Sequence, residues 1–396
     1  MIRINRLFTI LLLVALIFSA CQPIQPVTSI QVSKLDDATI TKIDNIVAQA
    51  MTDYPTPGFT LCIVKDGQVV YSKGFGLADV EHQRPMTPRS VSTEYSIAKS
   101  MTAMAVMQLV EQGKVNLDEP VTTYLPYFTM ADPRFQAITV RMLLNHTSGM
   151  PDDPWDFALT GDADPLEQAV RSLSSKSLLD APGAAWSYAD VGFDILGDLI
   201  AKVSGEPFPN YMKEHLLKPL GMRTSTFVGE EVASALRVTG YVDGEGGGVT
   251  VGEANFDARN APAANLYSNC AEMAQWAIVM LNQGKAGEKL LLTTESIEAM
   301  WTNGVATPWR DIIGPWYGGA FQTYSLGWHL GSMDGHRLVG NAGSGDGFNT
   351  QMQLAPDDGL AVIAMNNWLT VETATWYPAS FAALDVMYTL LGIEPE

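Results

Sequence analysis

Strand patterns occupy the two ends of this chain, and they constrain its fold more than any other feature. Near the start, residues 59–64 and 69–72 are apolar and rich in β-branched side chains, and they flank an Asp66-Gly67 turn. This arrangement predicts a β-hairpin. Near the end, further apolar runs alternate with turns, at residues 326–330, 337–340, 349–354 and 360–365. Hairpins at both ends predict one antiparallel sheet built from both termini, with the intervening residues inserted into it.

The residues between these strand patterns are expected to be mainly helical. Helix candidates separated by Pro and Gly clusters lie at residues 97–112, 140–145, 165–174, 192–204, 209–217 and 271–282. Two more, at residues 38–51 and 374–391, lie outside the strand patterns. The sequence therefore predicts an α+β fold, an α/β sandwich whose antiparallel sheet is flanked by helices. Its sheet region would comprise about residues 37–110 and 310–396, and an inserted, mostly helical subdomain about residues 111–309.

The first residues have the composition of a targeting segment. Two arginines precede an apolar run at residues 7–18, which is too short for a comfortable membrane span and typical of a signal peptide. We expect residues 1–20 to be this signal. The segment Phe18-Ser19-Ala20-Cys21 resembles the lipobox of bacterial lipoproteins, which implies secretion across the inner membrane and a lipid anchor on Cys21 at the cell envelope. The alternative is a plain secretory signal with an incidental Cys. Residues 21–36 would form a tether.

Charge, Cys and His content exclude several classes of function. The 43 acidic residues exceed the 24 basic ones and give a net charge of −19, so nucleic-acid binding has no electrostatic basis. Cys62 lies in an apolar strand-like run and Cys270 opens a helix-like one, which favours two buried thiols over a disulfide. The five His residues never approach metal-ligand spacing, so we expect no metal. We expect no organic cofactor either.

A hydroxyl and an amine lie three residues apart at the predicted start of the helix at residues 97–112. Residues i and i+3 share a helical face, so the Lys99 amine could lie against the Ser96 hydroxyl. The helix N-terminus favours the negative charge that develops when this hydroxyl reacts. The pair predicts a nucleophile with a base beside it. Ser96 could also be an ordinary N-cap in a pattern that arises by chance, so further segments must support the catalytic interpretation.

Further segments do support it. In chain order they are Ser96-Ile97-Ala98-Lys99, Leu143-Leu144-Asn145-His146-Thr147-Ser148-Gly149, Tyr188-Ala189-Asp190, Asn265-Leu266-Tyr267-Ser268 and Asn341-Ala342-Gly343. Over about residues 37–391, the chain resembles the serine β-lactamase and penicillin-binding protein superfamily, closest to its class C, DD-peptidase and family VIII esterase branch. The order and spacing of the segments carry the resemblance, more than any single motif. It implies a β-lactamase/transpeptidase-like fold and a serine hydrolase that forms an acyl-enzyme.

The resemblance also implies roles for individual residues. Tyr188 would act with Lys99 and shuttle the proton from Ser96 to the leaving group. The backbone amides of Ser96 and Ser344 would form an oxyanion hole, which Gly343 makes accessible by permitting close backbone approach. The alternatives are a packing role for Tyr188 and a simple Gly-rich hairpin turn around Gly343.

Two positions depart from the pattern of this branch. Asp190 replaces the usual Asn, so it only accepts hydrogen bonds when ionised, and it could pair with Lys99 and leave more of the base role to Tyr188. Asn341 replaces a cationic or ionisable residue that would bind a substrate carboxylate. We therefore expect a small-molecule or peptide ester or amide as substrate, rather than a β-lactam. The alternative is a catalytically weak protein that binds cell-wall fragments or peptides.

Two other features allow more than one interpretation. His146 would suit a Ser-His-Asp hydrolase, but the chain contains no Gly-x-Ser-x-Gly segment, so we expect His146 to be structural. The aromatic-rich residues 308–317 and 324–328 could wall an apolar acyl pocket or simply anchor a long loop.

Overall fold

The computed structural model describes only part of the chain. The described residues are 35–152, 157–161, 163–244, 248–252, 257–308, 320–345, 347–370 and 377–394. The predicted signal peptide, the lipidation at Cys21 and most of the tether lie outside them, and so do aromatic residues 309–317. None of the helices within the described ranges has the length and apolar character needed to cross a membrane.

One nine-stranded sheet dominates the fold, and every pairing in it is antiparallel. The strands of the described residues are β1 Gly58–Lys65, β2 Gln68–Asp79, β3 Arg84–Pro85, β4 Ser92–Thr93, β5 Tyr241–Asp243, β6 Val249–Val251, β7 Tyr267–Ser268, β8 Lys285–Ala286, β9 Lys289–Leu290, β10 Val305–Ala306, β11 Phe321–Tyr324, β12 His329–Met333, β13 His336–Gly345, β14 Phe348–Ala355 and β15 Leu360–Asn366. In the large sheet they follow the order β10-β11-β12-β13-β14-β15-β1-β2-β3. Both termini therefore contribute to one sheet, which confirms the predicted α+β fold.

Strand β1 shows how the sheet separates two cores. Phe59, Leu61 and Ile63 point into one apolar cluster, and Cys62 and Val64 point into the other. This is the two-residue alternation of a strand that is buried on both faces. Because each face must be covered, helices pack on both sides of the sheet and form the predicted sandwich.

Helices cover the two faces of the sheet and fill the region between β4 and β10. The described α-helices are α1 Asp37–Asp53, α2 Ala98–Glu111, α3 Val140–Leu144, α4 Pro165–Ser172, α5 Asp190–Ser204, α6 Phe208–Met212, α7 Lys218–Leu220, α8 Ala261–Ala264, α9 Cys270–Leu281, α10 Thr294–Met300 and α11 Pro378–Leu391. Helices α1 and α11 pack together on one face, and α9 packs on β1 and β15. Helix α2 has no Gly or Pro, and its first twelve residues are buried. It packs against α5 and α8, which positions its N-terminus beside the inserted helices.

One predicted strand was misplaced. Residues 326–330 were predicted to form a strand, but β11 ends at Tyr324 and β12 begins at His329. Gly327 lies between them with a φ of +80°, a backbone conformation that favours glycine and forms a turn here. The apolar residues of this turn are buried because they pack inward, so the apolar pattern indicated burial rather than a strand.

The prediction of two buried thiols is wrong. Cys62 on β1 and Cys270 at the start of α9 form a disulfide, with their Cα atoms 5.9 Å apart. Both residues are fully buried, as expected. They are separated by 208 residues in the chain, and only the packing of α9 across β1 brings them together.

Candidate active site

Ser96 lies at the junction between the sheet and the inserted helices. It occupies the middle of a 3₁₀ turn, Tyr95–Ile97, that leads directly into α2. The turn packs closely against β13, because a Cβ atom at Gly343 would overlap the Glu94 carbonyl group and one at Gly345 would overlap the Tyr95 ring. Tyr95 itself has a φ of +45°, which is uncommon for a residue other than glycine. Packing against β13 therefore holds the backbone that presents Ser96.

Lys99 is fully buried and lies directly beside the Ser96 hydroxyl. Its ammonium nitrogen donates a hydrogen bond to Ser96 Oγ at 3.0 Å and another to the backbone oxygen of Ala263 at 3.0 Å. The same nitrogen forms an ion pair with Asp190 Oδ1 at 2.6 Å. The predicted contact across three residues is therefore present, and so is the predicted ion pair.

Tyr188 completes the group from a separate segment. Its hydroxyl oxygen lies 2.7 Å from Ser96 Oγ, and either oxygen can be the donor. The Lys99 nitrogen lies 4.7 Å from the centre of the Tyr188 ring, a distance typical of a cation–π contact. The structure thus brings together all three residues that the sequence predicted to be catalytic.

His146 contacts the Tyr188 segment rather than Ser96. Its Nδ1 accepts a hydrogen bond from the Ala189 backbone at 3.2 Å, and its carbonyl oxygen accepts one from the Ser187 backbone at 2.8 Å. The His146 and Tyr188 rings lie 4.4 Å apart. Burial, with the nearby charge of Lys99, lowers the pKa of His146 well below its usual value, so the ring is neutral. These contacts fit the predicted structural role.

Asp190 is the first residue of α5, and its side chain is 31% exposed. Its backbone amide donates a hydrogen bond at 2.6 Å to Oδ1 of Asp152, so a distant carboxylate caps this helix. Burial and the charge of Asp190 raise the pKa of Asp152. Sequence reasoning missed Asp152, because nothing in the sequence around it points to a helix 38 residues further along the chain.

Ser344 lies on a stretch of β13 that, among the described residues, pairs with a strand on one side only. The pairing of β12 with β13 ends at His329 and Gly340, whereas β14 pairs with β13 as far as Gly345. Ser344 is exposed, and its neighbours Gly343 and Gly345 approach the residues just before Ser96. This geometry suits the predicted oxyanion hole, and the role of Ser344 remains a prediction.

Asn341 lies at the start of the same stretch, but its side chain faces the protein. It is 3% exposed; its Nδ2 donates to the Gly327 carbonyl oxygen at 2.9 Å, and its Oδ1 accepts from the Ala342 backbone at 2.9 Å. The amide thus holds the turn between β11 and β12 against β13. Asn341 can contribute to substrate binding only if these hydrogen bonds break, so its predicted binding role stays a prediction.

Glu94 is a second residue that sequence reasoning missed. It lies two residues before Ser96 and is fully buried. Ser92 Oγ donates a hydrogen bond to its Oε1 at 3.2 Å, whereas Oε2 has no partner within the described ranges. Burial raises the pKa of this carboxyl to about 8. The group is therefore mostly protonated at neutral pH, and it adds little negative charge beneath the Ser96 turn.

The described part of the predicted aromatic pocket wall lies in the core. Tyr324 and Trp328 are fully buried. The Tyr324 ring lies 4.8 Å from that of His146 and 4.7 Å from that of His329, and Trp328 stacks on Trp276 at 6.3 Å. Burial lowers the pKa of His329 to about 4, so this ring is also neutral. The described aromatic residues therefore pack in the core, whereas the long loop of the alternative interpretation lies outside the described residues, so both interpretations stay predictions.

Fold and site together define the class of this protein, which combines an antiparallel α+β sandwich with the side chains of Ser96, Lys99 and Tyr188 in mutual contact. Comparison with known families agrees, because the family described as Beta-lactamase matches residues 43–383. The chain therefore belongs to the Beta-lactamase family, and the resemblance predicted from its motifs is confirmed.

Individual relatives are similar over most of the chain. Protein flp of Staphylococcus aureus strain MW2 is 27% identical over 331 residues, which cover 82% of this chain and 62% of that protein. The chain thus spans less than two thirds of the length of this curated relative. An octameric penicillin-binding protein homologue from Pyrococcus abyssi has a TM-score of 0.76 at 29% identity, over 90% of this chain and 78% of that one. D-amino acid amidase from Ochrobactrum anthropi SV3 has a TM-score of 0.73 at 21% identity, over 89% of this chain and 99% of that one. At this identity, the likeness to the amidase concerns the fold alone.

Proposed function

We propose that this protein hydrolyses esters or amides through an acyl-enzyme on Ser96. The observation that carries the proposal is that Ser96 Oγ lies within hydrogen-bonding distance of both the Tyr188 hydroxyl and the Lys99 ammonium. A serine hydroxyl is a weak nucleophile unless a neighbouring group accepts its proton. The ion pair with Asp190 favours a charged Lys99, which gives the role of proton acceptor to Tyr188.

In the proposed reaction, Tyr188 is a phenolate and takes the proton of Ser96, which makes it a neutral phenol, as Oγ attacks the carbonyl carbon. The Lys99 ammonium stabilises the negative charge of the phenolate. The tetrahedral oxyanion receives hydrogen bonds from the backbone amides of Ser96 and Ser344. When the intermediate collapses, the bond to the alcohol or amine breaks and Tyr188 returns the proton to this leaving group. Water then attacks the Ser96 ester, with Tyr188 again accepting and returning a proton.

We propose that the substrate lacks a carboxylate next to the scissile bond. Position 341 offers no cation, and the Asn341 amide is already bonded within the protein. A β-lactam would bring such a carboxylate to the site, where it would find no cationic partner at this position. One structural neighbour is named an amidase, which is in line with amide hydrolysis on this fold.

We also propose a location at the cell envelope, through the signal peptide and a lipid on Cys21. The disulfide between Cys62 and Cys270 supports export, because structural disulfides are rare in reducing compartments. Labelling of cells with a fatty-acid analogue should mark the wild-type protein and leave Cys21→Ser unlabelled. Equal labelling of the two proteins would exclude the anchor at Cys21.

A catalytically weak binding protein is the second candidate function. The ion pair between Lys99 and Asp190 favours it, since a charged Lys99 cannot accept the proton of Ser96. Such a protein would hold a cell-wall fragment or a peptide at the same site without turnover.

A covalent probe distinguishes the two candidates. A protein that lacks residues 1–21 should react with a fluorophosphonate, and Ser96→Ala should abolish the labelling. Ser100→Ala is a matched control, because Ser100 lies on α2 but is fully buried and donates to the Ile97 carbonyl oxygen. A folded wild-type protein that stays unlabelled would favour the binding protein. Faster hydrolysis of a cephalosporin than of short-chain p-nitrophenyl esters would contradict the proposed substrate class.

A further inference from the structure

Carboxyl groups outnumber cationic groups among the described residues that surround the Lys99 nitrogen. The ammonium of Lys99 pairs with the carboxylate of Asp190, and Asp152 adds a second carboxylate beside Asp190. His146 and His329 add no positive charge, because burial lowers the pKa of both rings. Lys99 is the cation whose charge acts to lower the pKa of Asp152, against the effects of burial and of Asp190. Among these five described groups, two carboxylates face one ammonium group.

Asp190 has an oxygen available to a ligand. Its Oδ1 contacts Lys99, whereas Oδ2 receives no hydrogen bond from the part of the chain that the structure describes. The side chain is 31% exposed, so solvent reaches it. An ionised carboxylate accepts several hydrogen bonds, and only part of this capacity is used here. A cationic donor in the site can therefore bind Asp190 without displacing Lys99.

This carboxylate lies close to the reacting atom. Ser96 Oγ and Asp190 Oδ1 both contact the Lys99 nitrogen, so a single atom separates them. In an acyl-enzyme, the carbonyl carbon is bonded to Ser96 Oγ. A nitrogen on the next carbon lies about 2.5 Å from the carbonyl carbon, given standard bond lengths and angles. An α-amino group is therefore held close to Ser96 Oγ, and Asp190 is the carboxylate that contacts the same Lys99 nitrogen as this oxygen.

The rest of the site disfavours the opposite charge. Asn341 turns its amide into the protein, so β13 offers no cation at this position to an anionic substrate. A substrate carboxylate would instead approach the carboxylates of Asp190 and Asp152, and like charges at short range repel. The electrostatics of the described site thus select for a cationic ligand over an anionic one.

On the basis of the proposed acyl-enzyme at Ser96, we propose that the preferred substrates are α-aminoacyl esters or amides with a free, protonated amino group. Asp190 binds this ammonium group, and Asp152 adds to the negative potential. The interaction adds a second cationic partner to a site in which two carboxyl groups face one ammonium group. Asp190 is then a specificity-determining residue as well as the partner of Lys99.

The test compares matched substrates. Alanine and phenylalanine benzyl esters, in D and L forms, are assayed with a free amino group and with an acetylated one. The wild-type kcat/KM should favour the free amine by about tenfold or more, as expected for a hydrogen bond between charged groups. Asp190→Asn should reduce this ratio to less than about threefold by the same reasoning. The ratio is the readout, so a general loss of activity in the variant does not affect the comparison.

Two further variants separate the charge from other effects. Asp152→Asn keeps an oxygen that can accept from the Asp190 amide but removes the charge, so it should lower the ratio in part. Asp66→Asn is the matched control: it removes a carboxylate in the β1–β2 turn, where a φ of +51° suits Asn. The control should leave the ratio unchanged.

The outcomes distinguish this inference from the proposed function. If a fluorophosphonate labels Ser96 and the esters are hydrolysed without preference for the free amine, the inference is wrong and the proposed function stands. The same holds if Asp190→Asn leaves the ratio unchanged. If Ser96 is not labelled, both fail. If Asp190→Asn does not fold, a competition experiment on the wild-type protein replaces it. Phenylalanine amide should block fluorophosphonate labelling of Ser96 at a lower concentration than its N-acetyl derivative does. Equal blocking by the two compounds would overturn the inference.

Discussion

The hydroxyl oxygens of Ser96 and Tyr188 lie 2.7 Å apart, although 92 residues separate them in the chain. Two sets of contacts hold the residues on either side of this hydrogen bond in place. Close packing against Gly343 and Gly345 holds the Ser96 turn, and hydrogen bonds to His146 hold the backbone on both sides of Tyr188. Neither support reacts in the proposed mechanism, so each can be tested apart from the chemistry.

Tyr188→Phe should lower turnover by more than about tenfold with little change in melting temperature. The substitution removes the hydroxyl that contacts Ser96 but keeps the ring that packs on His146. Steady-state kinetics and thermal unfolding measure the two effects separately. Wild-type turnover in the variant would remove Tyr188 from the mechanism.

Lys99→Ala should also lower turnover by more than about tenfold. The variant loses the hydrogen bond to Ser96 and leaves Asp190 without its ion-pair partner. Because Asp190 is partly exposed, water can solvate its charge, and the fold should persist. Circular dichroism checks folding and kcat checks catalysis. A folded variant that retains turnover would show that the amine is dispensable.

His146→Ala should lower kcat because it removes the acceptor for the Ala189 amide. His146→Asn should restore much of the activity, since Asn supplies an acceptor and tolerates the φ of +59° at this position. The pH profile is the second readout. The pKa of His146 is far below its usual value, so the apparent pKa values of kcat/KM should be the same in wild type and His146→Asn. Loss of one of these pKa values in His146→Asn would instead indicate that His146 exchanges protons during turnover.

Glu94 should make the protein less stable as pH rises. Its pKa is about 8 in the folded state, against 4.5 as the ordinary value, so the folded state retains a proton that the unfolded state releases between these values. This contribution is fully present below pH 4.5 and is lost as pH rises through 8. It amounts to a few kcal/mol, on the order of 1.4 kcal/mol for each pKa unit.

Unfolding of Glu94→Gln between pH 5 and 9 measures this effect. The variant should show a shallower decline of stability with pH than wild type, because Gln does not titrate. Asp198, whose pKa burial also raises, is present in both proteins and cancels in the comparison. Glu81→Gln, on the exposed surface, is the matched control and should follow the wild-type curve. Parallel curves for wild type and Glu94→Gln would mean that Glu94 is ionised in the fold.

The disulfide should be detectable by counting thiols. Protein that lacks residues 1–21, denatured without reduction, should contain no free thiol, and reduction should release two. Replacing Cys62 and Cys270 together by Ala should lower the free energy of unfolding by about 2–5 kcal/mol, a typical cost of losing a native disulfide. Two free thiols before reduction would contradict the cross-link.

The sequence predicted those features that depend on local periodicity or on motif order. The apolar runs around Phe59 to Val64 and the hairpin turns predicted a sheet built from both termini, and the spacing of Ser96 and Lys99 predicted their contact. Tyr188 required the motif order, because no local pattern relates it to Ser96.

The missed features all arise from contacts between distant segments. Cys62 and Cys270 lie 208 residues apart, and their separate apolar surroundings favoured thiols. Asp152 caps a helix from another loop, and the burial of Glu94 is set by the packing of β13 on its backbone. The apolar residues around Gly327 suggested a strand, but tertiary packing buries them as a turn. None of these contacts has a signature within one short stretch of sequence.

The central position of β1 has a consequence for biosynthesis. One side of β1 pairs with β2, but its other partner is β15, which begins almost 300 residues further along the chain. Until residues 360–366 emerge, this apolar strand has unpaired backbone groups along one edge, and such edges associate readily with other chains. Nascent or truncated forms that end before β15 should therefore require a holding chaperone or aggregate, whereas the complete chain can close its own sheet.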